Sequence, residues 1–521
     1  RGKNMSKWLD DAVFYEIYPS SFQDSNGDGY GDIQGIIARL DYLQEIGFNA
    51  IWLNPVFCSP FLDGGYDITD FFDVDPRFGT MKDLEELLYQ AHLRGMHLIL
   101  DLVPGHASEK HPLFLKSAEP TRNEYSDLFV WNDSPWEKPQ GWWQFISGHY
   151  ERYGNYMVNF FSHQPAFNYG WKEIQYPSWQ IHYQDPRALL ARNYLKSIIR
   201  FYLKKGFDGF RVDMADSLIK GDDDKSATIE LWKEIRLEIF DREYKEAVLI
   251  SEWSDHEKSV RAGFHGDFYL DHVNNGYHHL VRDMKNDVNL SFFSGHGDIT
   301  TFLKDYMPRY LACKKRNGHV CLISGNHDTC RLAYHKYGYT ENVLKLIYAF
   351  ILTMPGVPFI YYGDEIGMDY MENLPSKEGG YQRTGSRTPM QWNLERNMGF
   401  SSIEDSTRLF LPLNDEYPQN VEEQLKRSDS LLNTIKALIH LRLKLKDLRS
   451  DAFSVIFAEP YTYPFIYQRN QLIIVINPSY EERTVVGDYQ NYVAIYQLGT
   501  CNQECHRLTI FPWSFAILKK K

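Results

Sequence analysis

Cysteine is scarce: the chain has six in 521 residues (Cys58, Cys313, Cys321, Cys330, Cys501 and Cys505). None forms a CxxC pair or clusters with histidine, which argues against a zinc site and leaves free thiols in a reducing compartment as the expectation. Only Cys501 and Cys505 lie close enough in sequence to keep a disulfide open. Positive charge is also short. The formal net charge is −13, so no nucleic-acid or anionic-membrane surface is expected. One long uncharged apolar run exists, "LIYAFILTMPGVPFIYYG" from Leu346, and Pro355, Gly356 and Pro358 interrupt it. It reads as a buried helix followed by a buried strand, with no membrane span. The opening "RGKNMSKWLDD" lacks the apolar stretch of a secretory leader, so a cytoplasmic location is expected, with Met5 as the natural start. Internal repeats and low-complexity tracts are lacking as well.

What remains is a chain long enough for two or three domains. Aromatic residues are plentiful, with 36 Tyr, 32 Phe and 12 Trp. Such rings pack cores and also stack on sugar faces, and composition does not choose between the two. Eight short apolar runs recur: "AVFYEIYP" (from Ala12), "FNAIWLNP" (Phe48), "HLILDLVP" (His97), "FDGFRVDMA" (Phe207), "AVLISEW" (Ala247), "DFYLDHV" (Asp267), "HVCLISGNHD" (His319) and "GVPFIYYGDE" (Gly356). Nearly all are apolar on both faces, as strands of a parallel sheet are, and helical patterns lie between several of them. This is an α/β chain, expected to form a (β/α)8 TIM barrel with functional groups at the C-terminal ends of its strands.

The gap between runs three and four is too long for one crossover helix and is rich in Trp, Tyr, Asn and Gly. It predicts an inserted subdomain over the barrel mouth. The expected division is 1–106 for the first part of the barrel, 107–185 for the insertion and 186–449 for the rest of the barrel. A C-terminal antiparallel β-sandwich is expected over 450–521.

Ionisable residues collect where the runs end: Asp101 and His106 after the third, Arg211 and Asp213 on the fourth, Glu252 on the fifth, His327 and Asp328 after the seventh. Singly, each is an N-cap or a solvated loop charge; at successive strand ends they would converge on one pocket. Arg211 and Asp213 are two apart on a strand and share a face. Retaining cleavage of a glycosidic bond needs a carboxylate nucleophile and a carboxylic acid about 5–5.5 Å apart. Arg211 is expected to keep Asp213 ionised as that nucleophile. Glu252, partly buried among carboxylates, is expected to keep its proton for the leaving oxygen. Asp328 and the histidines are available to bind sugar hydroxyls.

In order, "DLVPGH", "GFRVD", the glutamate of "ISEW" and "NHD" resemble the α-amylase family, glycoside hydrolase family 13, and the likeness runs from about Ala12 to the C-terminus. The resemblance implies Asp213 as nucleophile, Glu252 as acid/base and Asp328 as a third carboxylate that orients the sugar. It implies contacts to sugar or nucleophile from His106, Arg211 and His327. In "FLDGGYDITD" it implies that Asp63 caps the non-reducing end and that Tyr66 stacks on the ring. "YEIYPSSFQDSNGDGYGDIQGI" and "GSRTPMQW" resemble the oligo-1,6-glucosidase, α-glucosidase and trehalose-synthase group more than the endo-amylases.

"DSNGDGYGD" sets oxygen ligands at alternate positions, as a hard cation requires. It is not an EF-hand, because loop position twelve is Gly35 and no helix leads in. The resemblance implies a structural calcium held by Asp24, Asn26, Asp28, Asp32 and the Tyr30 carbonyl. Gly105 stands where the family carries an Asn before the histidine, so the second calcium of many endo-amylases is not expected. "HQPAFNYG" also departs from the group, and the following Trp171–Tyr183 stretch looks inserted. It reads equally as a stacking platform beside the pocket and as a loop packed on its own tryptophans. Met214, beside the nucleophile, leaves the linkage preference open.

The reading is an exo-acting retaining α-glucosidase for short α-linked gluco-oligosaccharides, expected as a monomer or weak homo-oligomer. Its alternatives are a transglucosidase or trehalose-synthase-like isomerase, an endo-acting α-amylase, and, from another class, a non-catalytic binding module. Such a module should have lost its carboxylates, which this chain keeps.

Overall fold

A computed structural model describes residues 7–147 and 149–521. The expectation that Met5 is the natural start lies outside the described residues. All eight runs are strands: β1 (Phe14–Ile17), β2 (Ala50–Leu53), β3 (His97–Leu102), β4 (Gly209–Val212), β5 (Val248–Ser251), β6 (Gly266–Phe268), β7 (His319–Cys321) and β8 (Phe359–Tyr361). They pair in parallel from β1 through β7, β8 pairs with β1, and a parallel bridge from Ile323 to Phe359 brings the two ends together. The result is a nearly closed (β/α)8 barrel. Both faces of the strands are covered, which is why the runs read as continuously apolar rather than alternating.

Inside the barrel an aromatic layer fills the space beneath the strand ends. Phe14 stacks on Phe359 at 4.3 Å, Phe268 meets Phe359 edge-on at 4.8 Å, and Trp52 stacks on Phe268 at 5.2 Å. This floor is apolar and buried, so the charged groups above it are largely removed from solvent. Around the barrel, helix Met81–Leu93 starts on a Thr80/Asp83 capping box. Helix Leu189–Lys205 ends on Gly206 in the left-handed conformation, φ 103°. The uncharged run from Leu346 belongs to helix Glu341–Thr353, buried without a break from Val343 onward, and to β8. Among the described residues no helix is long and apolar enough to cross a membrane.

The C-terminal unit has two antiparallel sheets. One orders β9 (Ser454–Phe457), β10 (Phe465–Arg469), β11 (Leu472–Asn477), β16 (Ser514–Lys520) and β13 (Tyr492–Leu498). The other orders β12 (Arg483–Val486), β15 (Arg507–Ile510) and β14 (Cys501–Gln503). Strand alternation divides β11 cleanly: Leu472, Ile474 and Ile476 join the barrel's core, while Ile473 and Val475 face the small sheet. Buried Arg469 ties the unit to the barrel by donating to the carbonyls of Thr353 and Leu448. All six cysteines are free thiols, Cys501 and Cys505 included.

The insertion between β3 and β4 has a hairpin, Gln144–Ser147 with Asn155–Val158, and its own small core of Val130, Met157, Ala166, Trp171 and Trp179. Trp171, 1% exposed, makes backbone bridges to His182 and Lys220. The stretch is thus packed on its own tryptophans, with Trp179 meeting Trp171 edge-on at 5.9 Å. A fully buried indole offers no face to a sugar. The stacking platform envisaged for Trp171 is not there.

Candidate active site

β3, β4 and β5 deliver Asp101, Arg211, Asp213 and Glu252 to one point. Register does this: Asp101 pairs with Arg211, and Arg211 with Ile250, in adjacent parallel strands. Arg211 is fully buried. Its Nη1 donates to Asp101 Oδ1 at 2.8 Å and to Asp213 Oδ1 at 3.0 Å, and its Nη2 lies 3.0 Å from Glu252 Oε2. One guanidinium therefore serves three carboxylates, which a planar fork can do and a single ammonium does poorly. Asp101 is held by two further donors, Tyr66 hydroxyl at 2.7 Å and Trp52 Nε1 at 3.0 Å.

Asp213 and Glu252 both lie against the Arg211 guanidinium. Burial raises both carboxyls, and the neighbouring Glu252 charge pushes Asp213 up further against the pull of Arg211. Arg211 draws Asp213 toward the anion, as expected, while burial and the Glu252 charge oppose it. Arg211 is divided among three acids, so its pull on either carboxyl of the pair is shared. The backbone bends sharply after each acid: Met214 has φ 41° and Ser254 φ 58°, both left-handed. This turn aims the Met214 N–H at Glu252 Oε2, 2.9 Å away. Such strain in non-glycine residues is characteristic of sites whose geometry is imposed by the surrounding fold.

Asp328 is clamped from the other side. Arg383 Nη1 reaches its Oδ1 at 2.7 Å and Arg387 Nη2 the same oxygen at 3.2 Å; His327 Nε2 is 3.4 Å from Oδ2. Burial pushes the Asp328 carboxyl up, but His327, Arg383 and Arg387 carry it well below the usual range. Burial also keeps His327 neutral, so the two arginines do most of this. Arg387 is locked by its Nε to the His327 carbonyl at 2.8 Å and by the Tyr18 ring at 5.2 Å. Arg383 sits on the loop after β8, with its Nη2 on the Gly379 carbonyl at 2.7 Å and 3.7 Å from Asp63 Oδ1.

Asp63 accepts from Gln164 at 2.7 Å, and burial lifts its carboxyl to about 7. Tyr66 stacks on His327, 5.2 Å and 8° apart. His106 bonds the Tyr66 carbonyl at 3.1 Å and meets Asn159 at 3.2 Å; burial lowers its pKa to about 3. Every sugar-site residue named from the sequence thus joins one contact network. A Cβ on Gly105 would lie 2.5 Å from Asn159 Nδ2. Beside it the buried Lys220 ammonium bonds Asn159 Oδ1 at 2.9 Å and the Ser217 carbonyl. A protein cation stands at this junction of barrel and insertion.

The loop from Asp24 to Asp32 is separate. Asp24 accepts from the N–H groups of Asn26, Gly27 and Gly29 and from the Ser401 hydroxyl. Asn26 accepts from Asp28 N–H, Asp28 from Tyr30 N–H, and Asp32 from Ser25 and Gly35 N–H. The donor set is all hard oxygen, and Asp24 and Asp32 are buried without a cationic side chain in contact, which suits a hard cation. Among the described residues, however, no group of three or more Asp, Glu, His or Cys side chains is placed to hold a metal. Calcium here would need Asn26 and the Tyr30 carbonyl as well.

Sequence reasoning assigned no role to Glu16, Asn54, Trp52, Gln164, Lys220, Arg383 or Arg387. Glu16 carried a usable signal: a charged residue inside a core strand, the same anomaly that marked Arg211.

A parallel barrel whose mouth holds paired carboxylates on a shared arginine defines a glycoside-cleaving or glycosyl-transferring enzyme. The profile of the alpha amylase catalytic domain matches residues 16–451, and the chain belongs to the alpha-amylase family, glycoside hydrolase family 13. It is 31% identical to an oligo-1,6-glucosidase of Parageobacillus thermoglucosidasius, over 98% of this chain and 99% of the relative. It is 30% identical to maltase A2 of Drosophila melanogaster, over 94% and 87%. It is 32% identical to a trehalose synthase/amylase of Mycolicibacterium smegmatis, over 86% and 78%. In fold it resembles a trehalulose synthase from Pseudomonas mesoacidophila, with TM-score 0.79 and 24% identity over 99% of this chain and all of that one. Within the family it is an enzyme of the α-glucosidase type.

Proposed function

We propose that the protein is a retaining, exo-acting α-glucosidase for short α-linked gluco-oligosaccharides. The observation that carries this reading is the single guanidinium of Arg211 contacting both Asp213 and Glu252. In the reactive arrangement Glu252 carries a proton and Asp213 is the anion. A glucosyl C1 entering between them parts the two carboxyls toward the spacing of about 5–5.5 Å that retention needs. An Asp213 oxygen attacks C1 while Glu252 gives its proton to the glycosidic oxygen, and the leaving sugar departs as an alcohol. Water then attacks C1 of the β-glucosyl ester, loses its proton to the Glu252 carboxylate and frees Asp213. Asp328 and His327 bind ring hydroxyls. Asp63, flanked by Gln164 and Arg383, closes the non-reducing end and favours exo action.

The second reading, interception of the same intermediate by a sugar, draws support from the likeness to a trehalose synthase/amylase. Incubating wild type and Asp213→Asn with maltose, isomaltose, sucrose, trehalose and maltotriose separates them. Glucose release lost in the variant supports hydrolysis; new disaccharides mean transfer or isomerisation; no turnover on any sugar rejects both. A structural calcium on the Asp24–Asp32 loop is part of the same proposal and takes no role in the chemistry.

A further inference from the structure

Glu16 is buried in β1, 1% exposed, and no step above uses it. Its Oε2 lies 2.8 Å from His327 Nδ1 and accepts from Asn54 Nδ2 at 2.9 Å, while its Oε1 has no hydrogen-bond partner. The other ring nitrogen, Nε2, faces Asp328 Oδ2 at 3.4 Å. Stacking on Tyr66 and an edge contact with Trp52 at 5.9 Å leave the imidazole little freedom to turn.

With His327 neutral, as burial holds it, two proton arrangements satisfy the short Glu16–His327 contact. If Glu16 is ionised, it takes Nδ1–H. The bare Nε2 lone pair then points at the Asp328 anion, and a charged oxygen, Oε1, stays buried with no donor. If Glu16 is protonated, its Oε2–H donates to Nδ1 and Oε2 still accepts from Asn54. Nε2 then carries the hydrogen, and Oε1 is a neutral carbonyl oxygen. An unmet hydrogen bond on a neutral oxygen costs far less than one on a buried anion. The charges facing Glu16 are Asp101 and Asp328, which oppose a further anion, and Arg211, which favours it. Burial outweighs the help of Asn54 and Arg211 and raises the carboxyl well above its ordinary value.

We propose that Glu16 is a neutral acid whose proton fixes His327 in the Nε2–H tautomer, so that His327 donates a hydrogen bond toward Asp328 and the sugar hydroxyl bound there. Glu16 is then a positioning residue that acts through His327. Only the sugar contact rests on the glucosidase reading; the tautomer does not.

The test is a long-range proton–nitrogen spectrum of the full chain labelled at histidine, with the His327 signals assigned by their loss in His327→Asn. The expected result is the Nε2–H pattern in wild type and in Glu16→Gln, whose amide nitrogen can also donate to Nδ1 when the Asn54 amide, whose Oδ1 has no hydrogen-bond partner among the described residues, turns to accept from it. With α-glucosyl fluoride, Glu16→Gln should keep kcat within about threefold. Glu16→Leu should lose at least about tenfold in kcat with little change in KM, the loss of one aligned hydrogen bond. An Nδ1–H or doubly protonated His327 in wild type overturns the proposal, as does Glu16→Gln falling as far as Glu16→Leu. If Glu16→Leu fails to fold, the wild-type and Glu16→Gln spectra decide. If wild type turns over no α-glucoside, the glucosidase reading fails while the spectra still decide the tautomer.

Discussion

Replacing Arg211 with Met removes the one cation shared by Asp101, Asp213 and Glu252 while keeping much of the side chain's volume. Two unit charges about 4 Å apart interact by about 4 kcal/mol at an effective dielectric constant near 20. That corresponds to about three pH units on a single carboxyl. Arg211 divides its effect between the two catalytic acids, and a vacated site admits some water, so an upward shift of at least about one unit is expected for the pair. The sign is fixed: losing a positive charge favours the protonated form, so Asp213 ionises at higher pH. The acidic limb of kcat/KM for maltose should therefore move up by about one unit or more, and its maximum should fall at least about a hundredfold. Breaking a buried ion pair costs about 3–5 kcal/mol of stability, which denaturant unfolding at neutral pH will register. Arg211→Lys, which keeps the charge but loses the fork, should hold the limb nearer its place and still lose rate. An unmoved acidic limb in a folded Arg211→Met protein would refute the assignment of Arg211 as the group that sets the protonation of this pair.

Glu252→Gln should abolish turnover of maltose yet retain measurable turnover of α-glucosyl fluoride, whose departure needs no proton; equal loss on both would remove Glu252 from the acid role. Lys220 has its pKa lowered to about 7, first by burial and then by Lys225. Its folded-state pKa is thus below the unfolded value near 10.4, so the unfolded chain binds more protons between these limits and stability rises with pH across that window. Thermal unfolding from pH 7 to 9 should show this rise in wild type and a weaker one in Lys220→Met; parallel curves would contradict it. Adding calcium to chelator-treated protein is expected to raise Tm in wild type and not in Asp28→Ala, while unchanged unfolding in wild type would mean that the loop is held by its own N–H bonds. Trp171→Ala should cost about 3–5 kcal/mol of stability, as buried Trp truncations do, and leave KM for disaccharides within about twofold; a large KM change with unaltered unfolding would return the residue to the substrate site.

The barrel was legible because each of its eight strands is buried on both sides, so composition alone marks it. Asp213, Glu252 and Asp328 were legible because charge at the end of an apolar run has few structural explanations. The sharing of Arg211 among three acids was not, because Asp101 reaches that guanidinium from far away in sequence. Arg383 and Arg387 were hidden for a different reason: they lie on an irregular loop after β8, where no periodicity tells which way a side chain points. The Trp171–Tyr183 stretch stayed open between its two readings because an aromatic insertion near a pocket reads the same whether its rings face a sugar or each other. Only the pairing of Trp171 with Trp179 decides.

The charges of the pocket also bear on one another. Six acids (Glu16, Asp63, Asp101, Asp213, Glu252 and Asp328) face three arginines, Arg211, Arg383 and Arg387. Six anions in so dry a space would be prohibitive, so the excess must be removed by protons. The arginines decide where those protons go. Arg383 and Arg387 both fall on Asp328, which stays ionised; Arg211 is spread over three acids, and both carboxyls of the Asp213–Glu252 pair stay raised. Among the described residues no arginine is in contact with Glu16, and Asp63 has the 3.7 Å approach of Arg383 with a weaker pull from Arg387. A retaining mechanism needs one catalytic acid protonated and another not. On the proposed mechanism that difference follows from an undersupply of positive charge and its uneven sharing, and adding a cation near Asp213 or Glu252 should cost activity even where it adds stability.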